Sequence, residues 1–568
     1  MIKNNILMLI DLIRGQGLKY FFMIVFSLIT VIFFEIVSLA QVYPFIQLLT
    51  DGVRPVEGVL VKTINTQFGD ITHTEFVRIS AIILLCTVIL KGLSTWVFTL
   101  YNTRYSFKLA EYTHLKMIER FHNVTYSQYK KIQFSNFLKF HVKELPTLAI
   151  IVSSTLLLVT EIFVFLAILI FIFTISPDVT LIALTMIGTI FLGNRYLISP
   201  KVVSLGVERE KSELLVVESL KRMFQGFIAH KFTNSTNVKT QRYPLLYSRY
   251  TDINILNILY QSASRILIES FGYGLVALIP LVIILTGRFD TFEFASFGIV
   301  MVSFLRLLPS INRITSSINV LAFSLPSLDL LRQYYFLETA QKYSEDINDF
   351  KTIDVDQLSI HYGQHKLITD LTFQIRKGDK IVISGPSGCG KTSLLERLIG
   401  LIPPDAGSVK INNSLKVDSE NTDWSKRIAY LGQNSYVFNS SIRDNVVVGR
   451  EFDATAYRKI IDICHLAQIS MSDENSTASV GEDGNRLSGG QKQRVNLARV
   501  LYENPEIIIL DEPTSAIDNE TALSILKRIK SEFNDKTIII IDHRKHFMPI
   551  ATLTINFSLN EVQILRKE

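Results

Sequence analysis

The sequence predicts a multi-domain protein, an α-helical polytopic membrane domain followed by an α/β domain with a largely parallel sheet. Three observations carry this expectation. The chain has 568 residues, more than one folding unit usually holds. It is 48% hydrophobic, and the longest apolar runs lie before residue 320. Beyond about Phe350 the pattern changes to short β-rich runs alternating with helical stretches. The expected division is a membrane domain at 1–330, a linker at 331–348 and the α/β domain at 349–568.

A helix needs about 20 mostly apolar residues to span the hydrocarbon, and six windows qualify, at 20–48, 78–100, 148–175, 179–199, 255–286 and 292–320. An even number of spans puts both termini on one side. The connections after windows two and four are long and basic, with Arg104, Lys108, Lys116, Arg120, Lys130, Lys131, Lys201, Arg209, Lys211, Lys221 and Arg222. The others hold only Arg54, Lys62 and Arg288, so the positive-inside rule places the long loops and both termini in the cytoplasm. The first apolar run, from Phe21, is long enough to span and ends in no small-residue cleavage site, so it is expected to be retained. Helical spacing in "LAEYTHLKMIERF" and "ESLKRMFQGF" extends the helices past the bilayer. The polar turns "TYSQYKKIQFSNF" and "HKFTNSTNVKTQRY" are candidate contacts to a cytoplasmic partner domain. A net charge of +6 fits loop lysines near anionic lipid rather than a nucleic-acid surface. Cys86, Cys389 and Cys464 have neither disulfide nor metal spacing.

Within the spans, Arg306 and Arg313 are seven residues apart and share a helix face, because seven steps of about 100° fall only some 20° short of two turns. Lys91 and Arg265 lie in other windows. Each such charge costs about 2.5 to 3.5 kcal/mol at mid-bilayer, a cost tolerated where the residue faces water or a counter-ion. Lys91, Arg265, Arg306 and Arg313 are therefore candidate cavity cations for a polyanion such as a pyrophosphate. Pairing with Glu35, Glu161 and Glu269 is the structural alternative.

In the α/β part, "KIVISGPSGCGKTSLLERLIG" reads as a buried strand, a phosphate-binding loop and a helix. The loop residues Gly385, Pro386, Ser387, Gly388, Cys389, Gly390, Lys391, Thr392 and Ser393 wrap phosphates with backbone N–H groups at a helix N-terminus. Lys391 reaches the terminal phosphates and the Thr392 hydroxyl is a magnesium ligand, so ATP and Mg2+ are the expected cofactors. "PEIIILDEPTSAID" ends a second buried strand in Asp511, a second magnesium ligand, and Glu512, placed to orient water as general base. "KTIIIIDH" ends a third strand at His543, a further catalytic candidate.

Between these runs, "LSGGQKQRVNLAR" (residues 487–499) resembles the signature motif of the ATP-binding cassette (ABC) family. The resemblance implies a type I exporter fold, in which six membrane helices precede one nucleotide-binding domain. It implies a homodimer sandwiching two ATP molecules, with Ser488, Gly489, Gly490, Gln491 and Asp518 of one copy acting on the nucleotide of the other. By the same resemblance Tyr362 stacks on adenine, Gln433 touches magnesium and senses the membrane half, and Glu482 sits in a loop facing the membrane domain. Thr392 stands where serine is commoner and Ile517 where leucine is commoner, and "HRKHF" follows the third strand in an unusual form; none of these removes a reacting group.

"FFEIVSLAQVYPFI", "LLLVTEIFVFL", "RILIESFGYG" and "LRLLPSINRI" further resemble the bacterial flippases of lipid-linked oligosaccharides. That resemblance implies ATP-driven movement of a polyprenyl-pyrophosphate glycan across the inner membrane, with Lys91, Arg265, Arg306 and Arg313 facing the cargo. Export of a small peptide or of another amphipathic lipid is the alternative.

Overall fold

The computed structural model of the protein describes residues 18–50, 73–175, 177–232, 236–285, 294–340, 342–347, 349–362, 365–433, 436–470, 479–542, 547–558 and 562–567. Eleven helices come first among these: α1 (Leu18–Thr50), α2 (His73–His122), α3 (Tyr126–Tyr129), α4 (Phe134–Lys139), α5 (Leu145–Ile175), α6 (Pro177–Gly193), α7 (Ser199–Gln225), α8 (Phe227–Phe232), α9 (Thr236–Leu285), α10 (Phe294–Ser324) and α11 (Ser327–Tyr335). The chain forms two compact units, Met1–His122 with Ile132–Leu337, and Asn123–Lys131 with Glu338–Glu568. The boundary after Leu337 falls inside the expected linker, whose first residues are the end of α11.

In the first unit each of the six apolar windows is helical over its described residues. Lipid offers backbone groups no partners, and a helix satisfies them internally. Among the described residues, Tyr20–Val42, Val77–His122 and Phe134–Thr174 are long and apolar enough to cross a membrane, and Arg306–Ser324 with Ser327–Tyr335 form a pair bent by 53° that makes a fourth if counted as one span. The 50 residues of α2 at about 1.5 Å each reach about 75 Å, far beyond a bilayer core of about 30 Å. Its second half is the extension expected from "LAEYTHLKMIERF". Two π-turns, Phe140–Glu144 and Asn194–Ile198, join α4 to α5 and α6 to α7.

Small residues set the crossings. A Cβ at Gly206 on α7 would lie 2.6 Å from the Phe323 carbonyl oxygen on α10, and one at Gly272 on α9 would strike the Leu308 side chain. These glycines let α10 approach both helices closely. Around α10 the core gathers Leu39, Val164, Ile168, Ile268, Leu307, Leu308 and Ile311.

The second unit is built on strands β1 (Thr352–Tyr362), β2 (His365–Arg376), β3 (Lys380–Ser384), β4 (Ala406–Ile411), β5 (Leu415–Lys416), β6 (Ile428–Leu431), β7 (Ile507–Asp511), β8 (Thr537–Ile541), β9 (Leu553–Phe557) and β10 (Val562–Arg566). The helices α12 (Lys391–Leu398), α13 (Thr422–Lys426), α14 (Ile442–Val447), α15 (Ala454–Ile463), α16 (Ala467–Ser470), α17 (Gly489–Tyr502) and α18 (Asn519–Glu532) connect them. One sheet has the order β10-β9-β3-β8-β7-β6, parallel except for β10 at its edge. The other, β2-β1-β4-β5, is antiparallel. Strands β3, β7 and β8 are buried at every residue, as their unbroken apolar runs require of parallel strands covered on both faces. Their C-terminal ends share one sheet edge, where ligands of such sheets bind.

Asn123–Lys131, the first part of the predicted contact stretch "TYSQYKKIQFSNF", belongs to this second unit. Val124 bridges Thr339 and Gln128 Nε2 donates to Glu338 Oε2 at 3.0 Å. The other stretch, "HKFTNSTNVKTQRY", lies partly outside the described residues.

Candidate nucleotide site and intramembrane charges

β3 hands the chain to a loop that side chains would block. Gly385, Gly388 and Gly390 have φ of +148°, +79° and +102°, which favours glycine, and a Cβ at Gly385 would lie 2.5 Å from that of Phe557. The loop opens α12 with its first N–H groups unbonded within the helix. The Lys391 ammonium lies across it, donating to the carbonyls of Gly385 at 3.0 Å and Pro386 at 2.6 Å. Beside it is a cleft of about 810 Å³ lined by Lys366, Thr369, Thr372, Pro386, Ser387 and Phe557, among others. Cys389 packs partly against the core beneath. Ser393 follows Thr392 in the first turn of α12, and Tyr362 closes β1; the Tyr362 side chain lies outside the described residues.

The Thr392 hydroxyl donates to Asp511 Oδ2 at 3.1 Å. Asp511 ends β7 and is 3% exposed. Burial, opposed by the Thr392 hydrogen bond and reinforced by Glu512, holds its carboxyl above the usual aspartate range. A hydroxyl and a buried carboxylate at a phosphate loop are the hard oxygen donors magnesium takes, and a carboxyl pushed up by burial is one that a cation would settle. Gln433 follows β6, whose Leu431 pairs with Leu510 of β7, so it shares this edge.

Glu512 has φ +52°, unusual for a non-glycine residue and typical of strained functional positions. Its N–H donates to the Ile541 carbonyl at 3.1 Å, and its carbonyl accepts from Gln493 Nε2 at 2.7 Å. Gln493 Oε1 also accepts from the Ala516 N–H at 2.8 Å, fastening α17 to the β7 tip. The sequence reading missed Gln493; its only signal was an amide on the helix that the signature motif opens. His543 lies outside the described residues.

Ser488 caps α17, and the Gln491 side chain turns back to close a capping box, accepting from the Ser488 N–H at 2.7 Å. Gly489 and Gly490 form the first turn. Asp518 caps α18 and accepts from the Thr521 N–H at 2.9 Å, a bond that holds the exposed carboxyl low. Glu482 begins a short 3-10 turn, Glu482–Gly484.

Glu396, one turn beyond Thr392 on α12, was also missed. It is buried, and Lys130 Nζ donates to its Oε1 at 2.6 Å and the Tyr126 hydroxyl at 3.2 Å. Burial, then the Glu396 charge, pushes the Tyr126 phenol up to about 12. An acid inside the apolar run "SLLERLIG" was the available signal.

In the first unit, all four candidate cavity cations lie against carboxylates. Lys91 Nζ is 2.9 Å from Glu35 Oε1, and Arg306 grips both oxygens of Glu35, through Nε to Oε1 and through Nη2 to Oε2 at 2.8 Å. Arg313 Nε lies 2.6 Å from Glu161 Oε1, and Arg265, 67% exposed, lies 3.9 Å from Glu269. Arg306 and Arg313 share one face of α10 as their spacing predicted, but meet carboxylates from two different helices.

Residues 368–515 match the ABC transporter family. A probable ABC transporter ATP-binding/permease protein of Haemophilus influenzae is 30% identical over 292 residues, 49% of this chain and 52% of that one. The mycobactin import ATP-binding/permease protein IrtB of Mycolicibacterium smegmatis is 29% identical over 263 residues, 45% of each chain. The chain thus spans about half the length of these curated relatives. The structure of a bacterial Atm1-family ABC exporter with ATP bound superposes with a TM-score of 0.75 at 16% identity, over 96% of this chain and 94% of that one. The second unit is therefore built on the ATPase domain of the ABC transporter family, and the chain as a whole has the fold of an ABC exporter.

Proposed function

We propose that the chain is an ATP-driven exporter of the flippase type that moves a polyprenyl-pyrophosphate-linked oligosaccharide across a bacterial inner membrane. The observation that carries the ATP-driven part is the meeting of Thr392 and Asp511 at the mouth of the P-loop. ATP phosphates lie on the loop N–H groups and Lys391. Thr392, Asp511 and Gln433 would hold magnesium, which when bound draws charge from the β- and γ-phosphates. Glu512 orients the attacking water and accepts its proton, and His543 is a further catalytic candidate.

The chain acts as a homodimer, with both termini and the nucleotide domains in the cytoplasm. The signature segment of a second copy, Ser488 to Gln491 with Asp518, closes on the γ-phosphate across the dimer. Closure on ATP and release after hydrolysis alternate the access of the membrane cavity.

For the cargo, the supporting observation is the balance of charge around Lys91, Arg265, Arg306 and Arg313. These four cations meet three carboxylates, Glu35, Glu161 and Glu269, an excess of one positive charge within this described group that favours an anion. The likeness of the membrane stretches to the flippase PglK supports the same cargo. A second reading, export of a small peptide or another amphipathic molecule, is favoured by the separate carboxylates of Arg265 and Arg313, which a structural role would also require.

ATPase activity in proteoliposomes, titrated with a polyprenyl-pyrophosphate oligosaccharide and separately with peptides, tests the cargo. Stimulation by the lipid that weakens in Arg306→Ala is expected. Stimulation by peptide alone, indifferent to that substitution, rejects the flippase reading.

A further inference from the structure

The membrane part already contains an anion seated on its own cations. Glu35 of α1 is 1% exposed, and its carboxylate receives the Arg306 guanidinium on both oxygens and the Lys91 ammonium on one. The two cations come from different helices, α10 and α2, so the carboxylate is the point at which three helices converge. A guanidinium presents the same two-pronged donor face to a carboxylate and to a phosphate. Glu35 therefore fills the fork that a phosphate would take. An empty fork would leave two cations uncompensated in a half-buried setting, and a fork filled by either anion avoids that cost.

We propose that Glu35 is a resident surrogate for the phosphate of the cargo. It keeps Lys91 and Arg306 charged and oriented between cycles and yields them when an anionic head group arrives. The inference rests on the reading that the cargo carries a pyrophosphate. Exchange makes binding a competition, since an entering anion gains contacts with Arg306 and Lys91 only by displacing a carboxylate that already holds them. A doubly charged diphosphate wins that competition more readily than a monophosphate, and an uncharged head group does not enter it. Glu35 thus lowers affinity for every anion and sharpens the preference among them, which makes it a specificity-determining residue. Glu161 on Arg313, at 2.6 Å, holds one cation with one oxygen and is the weaker instance of the same arrangement.

The test is equilibrium binding of farnesyl diphosphate, farnesyl monophosphate and farnesol to the purified full chain in lipid nanodiscs without nucleotide. A Lys391→Ala background keeps the P-loop from holding the diphosphate. Glu35→Gln is expected to bind the diphosphate about tenfold more tightly than the background and to lose much of its preference over the monophosphate. Unchanged or weaker diphosphate binding by a Glu35→Gln protein with an intact unfolding transition overturns the proposal. Should that variant not fold, Glu35→Asp decides, because it keeps the charge but shortens the reach to both cations. Tighter binding than background supports the surrogate role, and equal or weaker binding overturns it. A background protein that binds the diphosphate no better than farnesol overturns the pyrophosphate reading itself, and this inference with it. Peptide-stimulated ATPase in the wild type would identify that outcome separately.

Discussion

The Thr392 hydroxyl donates to Asp511 Oδ2 across 3.1 Å, joining the first turn of the P-loop helix to the tip of β7. Two oxygen donors from segments 119 residues apart are thereby brought together. Asp511→Asn keeps the shape and removes the charge, and ATPase activity should fall by about 10²- to 10³-fold, the loss typical of one electrostatic contact to a developing charge. Thr392→Ala should raise the magnesium concentration for half-maximal activity, whereas Thr392→Ser, which keeps the hydroxyl, should stay near wild type. ATPase rates over a magnesium titration read both, and equal losses in the alanine and serine variants would remove the hydroxyl from the site.

Glu512 sits one residue beyond the metal candidate in a left-handed backbone conformation, φ +52°. Glu512→Gln preserves size and loses the base. Hydrolysis should drop by about 10²- to 10⁴-fold, the usual worth of a positioned base, while binding of a fluorescent ATP analogue persists. Robust turnover in this variant would move the base elsewhere.

The two signature glycines differ in what surrounds them. A Cβ at Gly490 would lie 2.9 Å from the Ala516 carbonyl oxygen, and one at Gly489 would rest 3.8 Å from the Ala516 Cβ. The turn at Ala516 is tied by Gln493 to Glu512, so it does not give way freely. Gly490→Ala should therefore cost about 1 to 3 kcal/mol, as overpacking does, and Gly489→Ala should leave the unfolding transition of the full chain in place. Equal thermal midpoints for the two variants would contradict the crowding at Gly490.

What the sequence revealed and what it hid follow the reach of the interactions. The P-loop, the buried Ile runs of β7 and β8 and the apolar windows are local patterns, and local patterns determine strands, turns and helices directly. Arg265 with Glu269 is an i,i+4 pair and was readable as such. Glu35 and Glu161 were visible as acids within spans, but which arginine each would meet depends on how α1, α5 and α10 face one another, which periodicity does not encode. Glu396 was hidden for the same reason, since its partner Lys130 is 266 residues away. Gln493 was hidden because its partners are backbone groups, which any sequence supplies equally.

The first unit holds an ionic cluster centred on Lys139. Lys139, 4% exposed, lies 3.3 Å from Glu144 Oε1 and pairs also with Glu210; Arg209 and Ser327 complete the shell of Glu210, at 3.0 and 2.8 Å. Lys139→Met leaves the buried Glu144 carboxylate without its cation, removes one of the partners of Glu210, and should cost about 3 to 5 kcal/mol, the usual penalty for breaking a buried pair from one side. Burial raises the Glu210 carboxyl, but the hydrogen bonds from Lys139 and Ser327 and the charges of Lys139 and Arg209 together outweigh it and hold the group low, so Glu210 contributes stability above the ordinary value of 4.5 and loses it as pH falls through the lowered folded value. At pH 8 Glu210→Gln should unfold at a lower temperature than wild type, and the difference should shrink only as pH falls below about 4.5. Thermal unfolding of wild type and Glu210→Gln from pH 8 to below 4.5 reads the sign directly. Equal midpoints for the two proteins at pH 8 would mean that the partners of Glu210 do not outweigh its burial.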